Sequence, residues 1–170
     1  LIELLNKLDP LREPGRITLI SRFGQDKIKS ELPKLIKAIQ TAGRQNTTVW
    51  ACDPMHGNTY TATNGLKTRS FDDILNELNA TFAVHLENGS SLNGVHFELT
   101  GENVTECVGG PQELAETNLP LNYTTYCDPR LNYLQSMEIS FLLAEWLKDW
   151  KNNERAQRRN SLSQKRTSFS

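Results

Sequence analysis

The chain has 170 residues, of which 37% are hydrophobic and 23% charged, and its formal net charge is −1. This length suits one domain, and ordinary apolar content with little net charge excludes an intrinsically disordered chain. No stretch approaches the roughly 20 apolar residues that a membrane-spanning helix needs. The chain opens at Leu1 without the charged-then-apolar pattern of a signal peptide. We therefore expect a globular protein with no membrane partner.

The first part of the chain alternates strand and helix patterns. Residues 16–22 are mostly apolar and β-branched, as in a buried strand. Apolar residues recur at helical spacing over 27–42, and Pro33 inside this run predicts that the helix kinks or restarts there. The next strand is predicted at 48–52. Strand, helix, strand in this order predicts an α/β fold with a parallel sheet.

The same alternation continues in the second part. A helix is predicted over 72–87, a third strand over 94–99, a short fourth strand over 123–127, and an amphipathic helix over 135–150. We therefore expect residues 1–150 to form one folded unit.

The last segment, 151–170, differs in composition from the rest. It holds six basic residues and one acidic residue. We expect a solvated, disordered basic tail. The alternative is an arm that binds phosphate or nucleic acid, but no recognised nucleic-acid-binding module supports a nucleic-acid partner.

The chain contains three cysteines, Cys52, Cys107 and Cys127, and none of them forms a CxxC pair. Zinc-ribbon and thioredoxin-like sites therefore lack support. An odd, low cysteine count favours a reducing compartment, so we do not expect the five N-x-S/T sequons to be glycosylated. The expected location is the cytoplasm, or a plastid for a plant-like source.

Polar side chains follow the predicted strands where active residues of parallel sheets lie. His56, Glu98 and Asp128 each follow a different strand, so the sheet could bring them to one rim. Imidazole with two carboxylates suits Mn²⁺, Fe²⁺, Co²⁺ or Zn²⁺. The alternative for each residue alone is a hydrogen-bonded surface group.

Cationic side chains lie beside the same loops: Arg22, Lys67, Arg69 and Arg130. Arginine binds phosphate oxygens bidentately and lysine acts as a point charge, so several such cations around a metal would suit a small, multiply anionic substrate. The alternative for each residue alone is a solvated surface charge. The chain has no GxGxxG, P-loop or GxSxG pattern. Nucleotide binding and a serine nucleophile therefore have no support.

Several long segments closely resemble class II DAHP synthase, the plant, fungal and actinobacterial type of 3-deoxy-D-arabino-heptulosonate 7-phosphate synthase. They are WACDPMHGNT at 50–59, GLKTR at 65–69, ELTGENVTECVGG at 98–110 and YCDPRLN at 126–132. The likeness runs from about residue 15 to 148 and matches the carboxyl-terminal portion of that enzyme.

The resemblance implies a (β/α)₈ barrel that condenses phosphoenolpyruvate with erythrose 4-phosphate, the first step of the shikimate pathway to aromatic amino acids. This chain would supply about three or four βα units, short of the roughly 250 residues that a closed barrel needs. We expect the full-length enzyme to be a homo-oligomer. The alternative is a catalytically inactive fragment, or one chain of a split enzyme, that retains part of the metal site.

The resemblance also implies roles for individual residues. His56, Glu98 and Asp128 match ligands of a divalent metal, typically Mn²⁺ or Co²⁺. The family's fourth ligand, a cysteine far upstream, has no counterpart in this sequence. Arg22 matches a contact to the phosphate of phosphoenolpyruvate, and Lys67 and Arg69 are assigned to substrate anions. No separate acid or base is assigned.

Overall fold

The computed structural model describes the backbone of residues 1–167 and the side chains of residues 1–152. The helices in this range are α1 (Ile2–Leu8), α2 (Ile28–Thr41), α3 (Phe71–Glu87) and α4 (Tyr133–Thr167). The strands are β1 (Ile17–Ser21), β2 (Thr48–Cys52), β3 (Thr59–Thr61), β4 (Lys67–Arg69) and β5 (Gly94–Val95). Two 3₁₀ turns span His56–Asn58 and Glu116–Leu121.

The main sheet is parallel, as the sequence predicts, with strand order β1-β2-β5. Ile17 pairs with Thr48 and Ser21 with Cys52, so β1 and β2 end level with each other. Cys52 also pairs with Val95 at the end of β5. All three carboxyl ends therefore lie along one edge. A separate antiparallel pair, β3 and β4, follows directly from the loop after β2.

The core lies between the sheet and its crossover helices. In α2 the buried residues are Ile28, Leu32, Ile36 and Ile39, spaced so that they form one helix face. Helix α3 contributes a wider apolar face, including Phe71, Ile74, Leu78 and Phe82. Each such side chain contributes about 1.5–3 kcal/mol when it is fully buried. Helix α4 adds Ile139, and Trp146 of this helix contacts Phe82 edge-on at 6.5 Å between ring centroids.

The predicted restart at Pro33 is wrong, because α2 runs without interruption from Ile28 to Thr41. Proline removes the hydrogen bond to the carbonyl four residues earlier, that of Lys29. Lys29 is exposed, so water can satisfy this carbonyl.

Two predicted strands are also corrected. The third strand pairs only at Gly94–Val95, and the segment after it forms an isolated parallel bridge between Leu99 and Leu131. Residues 123–127 form no strand. Instead of pairing with a neighbouring strand, the backbone N–H groups of Thr124 and Thr125 donate to the buried carboxylate of Glu106.

Helix α4 continues past the predicted boundary at 150, with helical backbone to Thr167. The predicted basic tail, 151–170, therefore begins within this helix, and residues 168–170 lie outside the described residues. Among the described residues, no helix is both long and apolar enough to cross a membrane.

Candidate metal centre and anion site

The loop after β2 places His56 at the sheet edge. Asp53, which is 4% exposed, folds this loop back on itself. Its Oδ1 accepts hydrogen bonds from the backbone N–H groups of Met55 at 3.0 Å and His56 at 3.1 Å. Its Oδ2 lies 2.6 Å from Nδ1 of His56. This contact assigns the imidazole proton to Nδ1 and leaves the lone pair of Nε2 free.

The free Nε2 of His56 faces two carboxylates. It lies 3.5 Å from Oε1 of Glu98 and 3.9 Å from Oδ2 of Asp128. One potential ligand atom from each of these residues lies within 4.8 Å of the other two. The three side chains are about one quarter exposed, so an ion can reach them. The structure therefore brings together the three residues that the sequence singled out for metal binding, and their donor set suits a first-row divalent cation.

Each carboxylate has one oxygen toward His56 and one toward a cation. Nζ of Lys67 donates to Oδ1 of Asp128 at 3.2 Å, and Nη1 of Arg69 contacts Oε2 of Glu98. The hydrogen bond from Lys67 lowers the pKa of Asp128, with a further contribution from the charges of Lys67 and Arg69. Asp128 is therefore held as an acceptor, the form that a metal ligand requires.

The β3–β4 hairpin carries both cations to the site. Thr59, just after the His56 turn, pairs with Arg69, and Thr61 pairs with Lys67. Lys67 and Arg69 are two positions apart on a strand, so they lie on the same face. Arg69 is fully buried, and its Nε donates to Oγ1 of Thr59 at 2.8 Å.

One nitrogen of Arg69 is unused. Nη1 contacts Glu98 and donates to the carbonyl of Pro129 at 2.6 Å, whereas Nη2 is buried and finds no partner among the described residues. A buried donor without a partner is costly. It therefore marks a position where an incoming anion could complete the hydrogen bonding of the guanidinium.

Arg22 lies apart from this cluster. Its side chain follows β1, is exposed, and makes no hydrogen bond or ion pair with the side chains described. Its turn nevertheless touches the His56 turn through backbone. A Cβ on Gly24 would lie 2.7 Å from the carbonyl oxygen of Gly57, and one on Gly57 would collide with the backbone of Gly24.

Arg130, the fourth cation near these loops, is committed to an internal partner. Its Nη2 and Nε donate to the two carboxylate oxygens of the buried Glu106, at 2.7 and 3.0 Å. Burial alone would raise the pKa of Glu106, but the hydrogen bonds from Arg130 and from backbone N–H groups outweigh it and lower the pKa. This pair anchors the loop that carries Asp128.

Sequence reasoning assigned no role to Glu106, Asp53, Glu77 or Asn58. The signal for Asp53 was available, because its spacing of three residues from His56 allows a local side-chain contact. Nothing in the sequence indicated a role for Glu106 or Glu77, because the sequence does not show whether a carboxylate is buried or exposed. Their partners are distant along the chain, and Arg130 lies 24 positions after Glu106.

A second group of potential ligands consists of Asp53, His56 and His96. The rings of His56 and His96 stack at 6.1 Å between centroids. In this group, however, both the carboxylate of Asp53 and Nδ1 of His56 are already engaged with each other. The group with Glu98 and Asp128 is the better cation site, because Nε2 of His56 is free there.

The family model and the similar proteins agree on one family. A model described as the class-II DAHP synthetase family matches residues 1–144. A phospho-2-dehydro-3-deoxyheptonate aldolase of Neurospora crassa is 48% identical over 161 residues, covering 95% of this chain and 34% of the relative. One from Mycolicibacterium smegmatis is 49% identical over 148 residues, covering 87% and 32%. One from Streptomyces lividans is 48% identical, covering 87% of this chain and 99% of the relative. The chain thus spans about a third of the length of the first two relatives.

Proposed function

The chain belongs to the class-II DAHP synthetase family, and we propose that it supplies the metal-binding, carboxyl-terminal part of a DAHP synthase. The reaction joins carbon 3 of phosphoenolpyruvate to the aldehyde carbon of erythrose 4-phosphate. Water adds to carbon 2, and inorganic phosphate leaves. The observation that carries the proposal is the convergence of His56, Glu98 and Asp128 at the carboxyl edge of the sheet.

The parallel sheet suits one part of a (β/α)₈ barrel completed by further sequence. Strands β1 and β5 are at the two edges of the sheet, and edge strands offer unpaired backbone groups to other chain segments. Apolar side chains are exposed as well. They include Leu4 and Leu8 on α1, and Leu134, Met137 and Phe141 on α4, with exposed fractions from 39% to 66%. These faces support packing against the remaining barrel elements.

The metal fits the donor set present. When bound, a divalent ion such as Mn²⁺ or Co²⁺ supplies a Lewis acid for a carbonyl oxygen. The residues that would hold it are His56 through Nε2, Glu98 and Asp128. Asp53 keeps the imidazole in the tautomer that leaves Nε2 free.

Cationic side chains would bind the substrate anions. Both substrates carry a phosphate, and phosphoenolpyruvate also carries a carboxylate. Arg22 is exposed at the rim and is proposed to bind the phosphate of phosphoenolpyruvate. Lys67 and Arg69 lie beside the carboxylates, and Arg69 has an unused N–H group for an anion. These contacts would orient the two substrates toward each other.

The test is loss of phosphoenolpyruvate that depends on erythrose 4-phosphate, together with bound Mn²⁺ measured separately. We expect His56→Ala to abolish both, and a chelator to abolish the reaction. His96→Ala is the matched control, because His96 stacks on His56 but is not in the group with Glu98 and Asp128. If His56→Ala retained full Mn²⁺ content and activity, the proposed site would be wrong.

A second candidate function is a chain that is inactive alone and works with a partner that supplies the rest of the barrel. Strands β1 and β5 are the edges of the described sheet and leave backbone groups for elements from another chain. The chain is assayed with and without a co-expressed amino-terminal part of a relative. Activity only in the mixture would show that this chain needs those elements, and activity of the chain alone would exclude this candidate.

A further inference from the structure

A buried carboxylate beneath the site connects the turn of Arg22 to the turn of His56. Glu77, in the middle of α3, is fully buried. We propose that Glu77 is a positioning residue that sets the Arg22 turn at a fixed place relative to the His56 turn. The proposal rests on the proposed function for the ligands of these turns, phosphoenolpyruvate phosphate and a divalent cation.

The contacts of Glu77 reach both turns. Its Oε1 accepts hydrogen bonds from the backbone N–H groups of Phe23 at 2.9 Å and Gly24 at 3.0 Å. Its Oε2 accepts one from Nδ2 of Asn58 at 2.8 Å. Asn58 closes the link, since its Oδ1 accepts from the backbone N–H of Gln25 at 2.9 Å. Glu77 and Asn58 therefore tie three successive residues after Arg22 to the turn that begins at His56.

Packing alone does not explain a carboxylate at this position. Its neighbours Ile74 and Leu78 on α3 are apolar and fill the core, and the buried Thr81 donates to the backbone carbonyl of Glu77 rather than to its carboxylate. An ionised group costs free energy on burial unless hydrogen bonds compensate it. Burial does raise the pKa of Glu77, while the hydrogen bonds from Phe23, Gly24 and Asn58 oppose this shift. All of these compensating bonds come from the two turns.

The two turns also touch directly through their backbones. Gly24 has a φ of +84°, and a Cβ there would lie 2.7 Å from the carbonyl oxygen of Gly57. The carboxylate of Glu77 is buried, so it accepts the N–H groups of Phe23 and Gly24 on the side of the turn that faces away from solvent. The side chain of Arg22 is left exposed at the rim, where an anion can reach it.

The hydrogen-bond pattern requires two acceptor oxygens at position 77. In Glu77→Gln one oxygen becomes an NH₂ group of nearly the same size. This group meets either Nδ2 of Asn58 or the backbone N–H groups, so donor faces donor. Asn58 cannot rotate its amide to help, because Oδ1 binds Gln25 and Nδ2 also binds the carbonyl of Pro54 at 2.8 Å. A change at Asn58 cannot compensate either, because an aspartate there would place an oxygen against the carbonyl of Pro54.

The experiment compares the complete polypeptide with Glu77→Gln, and with Glu87→Gln as the matched control. Glu87 is exposed at the end of the same helix. Three quantities are measured: amide hydrogen exchange of residues 22–25, the dissociation constant of phosphoenolpyruvate, and that of Mn²⁺. They separate local opening of the turn from ligand binding.

We expect Glu77→Gln to speed exchange at Phe23 and Gly24 and to weaken phosphoenolpyruvate binding about tenfold, as loss of one ionic hydrogen bond would. Mn²⁺ affinity should stay within about twofold, because Asp53 rather than Glu77 holds His56. Glu87→Gln should match the unsubstituted protein in all three measurements.

Unchanged exchange in Glu77→Gln would overturn the proposal. So would faster exchange with unchanged phosphoenolpyruvate affinity, or equal losses of the phosphoenolpyruvate and Mn²⁺ affinities, since equal losses indicate a general folding role. An unsubstituted protein that binds no phosphoenolpyruvate would refute the proposed function instead. In that case the exchange measurement still decides whether Glu77 holds the Arg22 turn.

Discussion

Oδ2 of Asp53 lies 2.6 Å from Nδ1 of His56, and this contact decides which imidazole nitrogen faces Glu98 and Asp128. The same carboxylate accepts two backbone N–H groups through its other oxygen. Asp53 therefore sets both the path of the loop and the tautomer of the ring. These two effects can be separated by substitution.

Asp53→Asn keeps the loop but reverses the tautomer. The amide oxygen can still accept from Met55 and His56, whereas the amide NH₂ replaces Oδ2 and donates to Nδ1 of His56. The ring proton then moves to Nε2, which loses its lone pair. We expect Mn²⁺ affinity to fall about 10- to 100-fold, measured by calorimetric titration. An equal loss in His96→Ala would contradict this explanation.

Arg22→Ala tests the anion contact without touching the metal group. Loss of a charge-assisted hydrogen bond costs about 1.5–3 kcal/mol. We therefore expect the KM for phosphoenolpyruvate to rise about 10- to 100-fold. Mn²⁺ affinity should not change. Arg16→Ala is the control, because Arg16 precedes the same strand at its opposite end and pairs with Glu13 on the surface. A similar rise in Arg16→Ala would indicate a non-specific charge effect.

Arg130→Met should destabilise the loop that carries Asp128 and do so most at neutral pH. The lowered pKa of Glu106 means that its ionised form stabilises the fold. This contribution is complete above the ordinary carboxyl pKa of about 4.3 and is lost as the pH falls through the lower folded-state pKa.

We expect Arg130→Met to lower the free energy of unfolding by about 2 kcal/mol at pH 7, below the roughly 3–5 kcal/mol of a fully buried pair. The reduction follows from the Arg130 side chain, which is 31% exposed. The difference from the unsubstituted chain should shrink at acidic pH. Urea unfolding at two pH values measures it, and a constant difference would exclude Glu106 as the cause.

His85 should make the protein less stable on mild acidification. Burial lowers its pKa to about 4, whereas in the unfolded chain it is about 6.5. The unfolded chain therefore binds more protons in this interval, and stability falls as the pH drops from about 6.5 towards 4. Over this interval the free energy of unfolding should fall by up to about 3 kcal/mol.

His85→Phe should flatten this dependence, because the new ring cannot take up a proton. The edge-on contact with Trp50, at 5.4 Å between centroids, can be kept by phenylalanine. Unfolding free energies at pH 7 and 5 provide the measurement. A dependence that survives in His85→Phe would assign the acid sensitivity to other groups.

The parts of the fold that sequence predicted are those with long, regular patterns. Strand β2 and helices α2 and α3 were placed within about two residues, because their apolar faces repeat over several turns or fill a buried strand. The segment at 123–127 failed because local β-propensity does not show that Glu106 will engage Thr124 and Thr125. The bridge with Leu99 falls at Leu131 instead.

For the site, too, the sequence did not show which contacts form between residues that are distant along the chain. The rule that active residues follow parallel strands pointed to His56, Glu98 and Asp128, although the strand expected before Asp128 does not form. It could not distinguish Arg130, which is internally paired, from Arg22, which pairs with no side chain in the part of the chain that the structure describes. Nor could it reach Glu77, whose partners are backbone N–H groups more than 50 residues earlier. Every residue type except proline carries a backbone N–H group, so the sequence does not show which of these groups will bind a distant side chain.

The contact between Gly24 and Gly57 restricts how the two turns can vary. Each added Cβ would meet backbone atoms of the opposite turn, not a flexible side chain. A change at one position therefore cannot be relieved by a smaller residue at the other, which is already glycine. In a saturation library both positions should return glycine alone. The neighbouring Gln25 should accept many side chains, because its close contact to Asn58 uses the backbone N–H and its side chain accepts only a long, exposed hydrogen bond from Asn76.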